Sequence, residues 1–110
     1  MDFSYFCNAT NWSSKPYNEI LNDVREISQY LDEQNTWNTI WFSEHHLQTT
    51  QGGEMECIPN PILLSADIAA RTKNIRIGQA CNVITFHNPI RMAEDIALLD
   101  QLSKGRVEIG

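Results

Sequence analysis

The stretch NPILLSADIAARTKNIRIG, residues 60–78, decides the fold, because its plan returns further along the chain. Asn60-Pro61-Ile62 and Asp67-Ile68-Ala69 recur 28 residues later as Asn88-Pro89-Ile90 and Asp95-Ile96-Ala97, and Ile75-Arg76-Ile77-Gly78 is echoed by Val107-Glu108-Ile109-Gly110. Each copy opens with an asparagine able to cap a helix and a proline suited to the first helical position. Each closes on a short β-branched run. Two successive helix-plus-strand units share one design, which is how a parallel sheet with right-handed crossovers is built.

Working back from residue 60, the same alternation extends to the amino terminus. Asp2 to Cys7 is short and aromatic and ends at Asn8-Ala9-Thr10-Asn11, as a strand entering a loop does. From Tyr17, Ile20, Val24, Ile27 and Leu31 recur at three- and four-residue steps, the stripe that an amphipathic helix buries against a sheet. Thr39 to Phe42 is a second strand, and Leu47 to Pro59 a loop of about a dozen residues, long enough to suggest a functional segment. The second helix runs to about Lys73, the third strand covers Ile75 to Val83, and the third helix ends near Ser103, where Gly105 breaks it before Val107-Glu108-Ile109. The expected order is βαβαβαβ, a single partial domain over residues 1–110. Four parallel strands with no further helix would leave sheet edges and one face exposed. The expectation is therefore a truncated chain or one with an obligate partner.

Composition narrows the partners. With 42% hydrophobic residues, three Trp, three Tyr and four Phe in 110 residues, the chain is globular rather than disordered. A net charge of −6, with only eight scattered Lys and Arg, argues against nucleic acid and anionic membranes. Cys7, Cys57 and Cys81 are widely spaced and odd in number, which implies a reducing compartment. With no signal-peptide pattern and no apolar run of spanning length, a soluble cytoplasmic protein is expected.

The groups able to do chemistry gather at Trp41-Phe42-Ser43-Glu44-His45-His46, where the second strand ends. In parallel α/β sheets the carboxyl ends of strands handle substrates and cofactors. Alternation sends Trp41, Ser43 and His45 to one face and Phe42, Glu44 and His46 to the other. His45 is the candidate general base on the face looking into a barrel, while Glu44 or His46 orients the loop or satisfies backbone donors. The competing reading is a hydrogen-bonded packing cluster. A metal centre lacks a third compatible ligand, and His87 is read as assisting the start of the third helix. Asn82 is an amide among Ala80, Cys81, Val83 and Ile84. It either meets a ligand over the small Ala80 and Cys81 or is a hydrogen-bonded packing residue. No glycine-rich phosphate cradle is visible.

Taken together, Trp41 to His46, Asn60-Pro61 with Ala69-Ala70-Arg71-Thr72, Ile75 to Gly78, and the run from Asn88 through Asp95 to Arg106 resemble the bacterial luciferase-like flavin-dependent monooxygenases. The resemblance spans nearly the whole chain, and residues 89–106 are its most specific part. It implies the N-terminal half of a (β/α)8 TIM barrel, with the first four strands and three helices. It further implies reduced FMN, or in some branches a deazaflavin, and no metal. Molecular oxygen and a small organic substrate would be consumed, a separate flavin reductase would supply the cofactor, and the C-terminal half or a partner subunit would complete the site. By this resemblance His45 matches the family's active-site histidine, with Glu44 beside it, and Ala80-Cys81, with Asn82, matches the cofactor-binding position where many members carry a non-prolyl cis peptide. Cys81 and Asn82 stand where small and aliphatic residues are usual. The flavin phosphate grip would lie on later strands. An alternative is a non-catalytic flavin-binding or subunit-like half-barrel that pairs with another chain.

Overall fold

The computed structural model describes residues 1–46 and 58–110. The loop expected from Leu47 lies outside the described residues except at Ile58 and Pro59, and so do Gly52, Gly53 and Cys57. The elements follow the expected order: β1 (Phe3–Cys7), α1 (Tyr17–Glu33), β2 (Trp37–Phe42), α2 (Pro61–Arg71), β3 (Arg76–Gln79), a 3-10 turn (Ile84–Phe86), α3 (Pro89–Ser103) and β4 (Val107–Ile109). The described strands form one four-stranded sheet, order β1-β2-β3-β4, with every neighbouring pair parallel. This is a partial (β/α)8 barrel. No helix among the described residues is long and apolar enough to cross a membrane.

The repeated Asn-Pro pairs do what their chemistry dictates. The Asn60 side chain accepts the Leu63 N–H at 2.9 Å, and Asn88 accepts those of Ile90 and Arg91 at 3.0 and 3.2 Å, which starts α2 and α3 at their prolines. At the end of α3, Lys104 (φ 60°) and Gly105 (φ 79°) turn left-handed, so the chain reverses into β4.

One sheet face is packed under the helices. Ile40, Phe42, Ile77 and Ile68 are fully buried there with Leu99, Val24 and Leu31. Each such side chain contributes on the order of 1.5–3 kcal/mol. On the opposite face Trp41 lies flat across Gly78, where a Cβ would fall 2.2 Å from Trp41 Cε3. Phe6 on that side is 53% exposed.

Two boundaries depart from expectation. β2 begins at Trp37, two residues early, because a register shift between the Phe3–Trp37 and Ser4–Thr39 pairs lets Trp37 pack on Tyr5 and Phe3. β3 stops at Gln79 rather than Val83. The Ala80 N–H still reaches Phe42 O at 2.8 Å, but the next donor, Val83 N–H, is taken by a side chain, so residues 80–83 leave the ladder.

The amino-terminal edge of the sheet is closed by polar pairing. Asp32, at the end of α1, accepts the N–H groups of Lys73, Asn74 and Ile75 at 2.6–2.9 Å. Arg106 donates to Ala69 O, Thr72 O, Thr72 Oγ1, Ile75 O and Ser103 O at 2.7–3.2 Å. Burial works against the Asp32 charge, yet the three amides and nearby Arg106 hold its carboxyl below the usual range.

Candidate functional site

The opposite edge is different in kind. Five buried side-chain atoms lack a hydrogen-bond partner: Asn8 Oδ1, Ser43 Oγ, Gln79 Oε1, and Nδ2 and Oδ1 of Asn82. Asn8 follows β1, Ser43 follows β2, Gln79 ends β3 and Asn82 lies three residues beyond it. All are at carboxyl ends of strands. Buried polar atoms are normally paired, so a run of orphans along one edge calls for an explanation.

Between these orphans sits a saturated carboxylate. Glu44, whose side chain is fully buried, accepts from His46 Nε2 at 2.5 Å and from His87 Nε2 at 2.8 Å on Oε1. Its Oε2 takes the Val83 N–H at 2.7 Å and shares His87 Nε2 at 3.0 Å. Burial alone would raise this carboxyl, but the bonds from His46, Val83 and His87 outweigh it and hold the pKa below the ordinary range. An ionised carboxylate has no hydrogen to give, so both contacting Nε2 atoms carry the proton. The His46 ring stacks on Phe86, centroids 4.4 Å apart and planes 21° from parallel.

His87 therefore departs from its expected role. Asn88 alone supplies the side-chain cap of α3, and the His87 ring turns to Glu44 instead. Nothing in the local sequence around His87 signals a carboxylate 43 residues earlier. The expected pairing of Glu44 and His46 on one face is observed through their direct bond. His45, between them, is half-buried and donates its N–H to Ile58 O at 2.9 Å. The Ala80–Cys81 peptide is cis, and the Cys81 side chain is exposed as a free thiol. Asn82 is 9% exposed with neither end of its amide paired, so of its two readings the hydrogen-bonded packing residue does not describe this structure.

These residues suit a flat, polar, ring-bearing ligand. The edge offers unpaired donors and acceptors at Ser43 and Asn82, an open backbone at Ala80–Cys81, and the Trp41 indole over Gly78 on the inner face.

Comparison with known proteins points the same way. The flavin-dependent trigonelline monooxygenase oxygenase component of Acinetobacter baylyi is 32% identical over 100% of this chain and 29% of its own length. The alkanal monooxygenase beta chain of Photorhabdus luminescens is 33% identical over 96% of this chain and 31% of its own. Among solved structures, the oxygenating constituent of 3,6-diketocamphane monooxygenase from Pseudomonas putida, in complex with FMN, overlays with a TM-score of 0.86, covering all of this chain and 29% of that one at 24% identity. A coenzyme F420 dependent tetrahydromethanopterin reductase from Methanopyrus kandleri overlays more loosely, at 0.67 and 19% identity. The chain spans about three-tenths of the length of these relatives. The family model for luciferase-like monooxygenases matches residues 1–110, and the chain belongs to that family.

Proposed function

We propose that this chain forms the first four strands and three helices of a luciferase-like flavin-dependent monooxygenase, a partial domain that supplies one wall of the active site. The carrying observation is the contrast between the sheet's two edges: the amino-terminal edge is closed by Asp32 and Arg106, while the carboxyl edge keeps its buried orphan atoms. In barrels the chemistry belongs at the carboxyl edge and stability at the other.

A bound reduced FMN, or a deazaflavin, supplies the oxygen chemistry on a small organic substrate, and a separate reductase delivers it. The chain's own residues bind, orient and exclude water. The Ala80–Cys81 backbone and the Asn82 amide form the cofactor floor. His45 is the candidate base at the strand end, and Glu44 stands beside it. The relatives' printed names, a flavin-dependent oxygenase component and an FMN complex, support this choice of cofactor. The compartment is cytoplasmic. A second reading, a half-barrel that pairs with another chain without itself catalysing, is favoured by the exposed Phe6 face.

Anaerobic titration with reduced FMN tests the proposal. The 110-residue chain alone should bind negligibly, and the barrel completed by its remaining βα units should bind saturably and consume oxygen with substrate. In that barrel His45→Ala should cut turnover by about two orders of magnitude or more. Unchanged turnover removes the base role, and lost assembly with intact chemistry favours the pairing reading.

A further inference from the structure

Glu44 is built to hold rather than to react. Its side chain is fully buried, and both oxygens are filled by donors at 2.5–3.0 Å, which leaves no lone pair facing a substrate. What it holds is one segment. The Val83 N–H and the His87 ring lie at the two ends of the 3-10 turn Ile84–Phe86, and His46, the third donor, stacks on Phe86 within it. The turn is thus gripped at residues 83, 86 and 87 from the end of β2. Immediately before it come Cys81 and the unpartnered Asn82 amide.

We propose that Glu44, with His46 and His87, is a positioning cluster that fixes residues 80–87 so that the Asn82 carboxamide is pre-set to meet the polar edge of a bound ring. The inference rests on the functional reading above and refines it: Glu44 acts through Val83 and His87, not on the reacting atoms. The carboxylate stands in for the ladder acceptor that β3 loses after Ala80. An N–H pinned to a charged acceptor is held more firmly than one paired to a carbonyl. A ligand that meets a pre-set amide is spared the ordering of that amide on binding.

The wild-type chain gives the first test. Nitrogen NMR of the imidazoles should find the proton on Nε2 in both His46 and His87 at neutral pH; an unprotonated Nε2 in His87 overturns the cluster. Glu44→Gln and the milder His87→Gln are then compared by amide hydrogen exchange. Val83 should lose protection by about tenfold or more, the factor carried by a hydrogen bond to a charged group, while Lys73, Asn74 and Ile75 at the opposite edge keep theirs. Unchanged Val83 exchange, or equal loss at all four amides, overturns the proposal. In the completed barrel the same variants should raise the Kd for reduced FMN by about tenfold, with Glu44→Asp recovering part of the loss. A Kd untouched by either variant overturns the positioning role. Failure of the wild-type barrel to bind flavin overturns the functional reading instead, while Val83 exchange still judges the clamp.

Discussion

Replacing Gly78 by Ala probes the packing of the inner sheet face most directly. The added methyl would sit 2.2 Å from Trp41 Cε3 and 2.6 Å from Cδ2 and Cζ3, where ordinary contact begins at 3.4 Å. The ring must therefore retreat by about 1.2 Å, and these atoms belong to the rigid body of the indole. Overpacking of this kind costs about 1–3 kcal/mol. The inner face is open enough for the ring to swing outward, so the chain should still fold. In urea the unfolding midpoint should drop by about 1 M, given the slopes usual for small domains. Tryptophan emission should shift to the red as Trp41 meets water. The decisive measurement is a double-mutant cycle with Trp41→Ala: once the indole is gone, the Gly78→Ala cost should fall to near zero, giving a coupling of about 1–3 kcal/mol. An equal cost in both backgrounds would refute the reasoning, because the penalty would then come from the Gly78 backbone and not from the ring.

Two further predictions concern the closed edge and its charge. Asp32→Ala strands the N–H groups of Lys73, Asn74 and Ile75 and leaves Arg106 without its nearest acid, so it should cost about 2–4 kcal/mol by denaturant unfolding; a cost under about 0.5 kcal/mol would show that water replaces the carboxylate freely. Asp32, Glu44 and Asp67 are all held below the usual carboxylate range, so their stabilisation is complete above the unfolded pKa near 4 and is lost as pH falls through the lower folded values. The stability difference between wild type and Asp32→Asn should accordingly stay level from pH 7 to 5 and shrink below about pH 4; a difference that widens on acidification would reverse the sign of the argument.

What the sequence makes legible is whatever depends on neighbours along the chain. The Asn-Pro starts, the apolar stripe from Ile20 to Leu31 and the β-branched runs report local geometry, and the structure follows them within a few residues. The 28-residue echo between Asn60 and Asn88 reveals the crossover plan because the two units fold alike. Legibility fails where a distant side chain intervenes. Val83 reads as strand from its own neighbourhood, yet Glu44 captures its N–H from 39 residues away and ends the ladder at Ala80. His87 next to Asn88-Pro89 reads as part of a helix start, yet its ring is claimed by the same carboxylate. Arg106 follows a helix-ending glycine and reads as a turn residue, although its guanidinium reaches back to four backbone carbonyls. Asn82 was the exception, an amide conspicuous in an apolar run, and the structure leaves both its ends unpaired.

Arg106 also imposes an order on synthesis. The carbonyls of Ala69, Thr72 and Ile75 emerge more than thirty residues before the guanidinium that satisfies them. Until it arrives they must be served by water, so the turn from α2 into β3 can be written by the ribosome well before it can be sealed. Each βα unit of this chain is thus completed by the one that follows it, which makes the growing barrel a relay in which the most recently added unit is always the least secure.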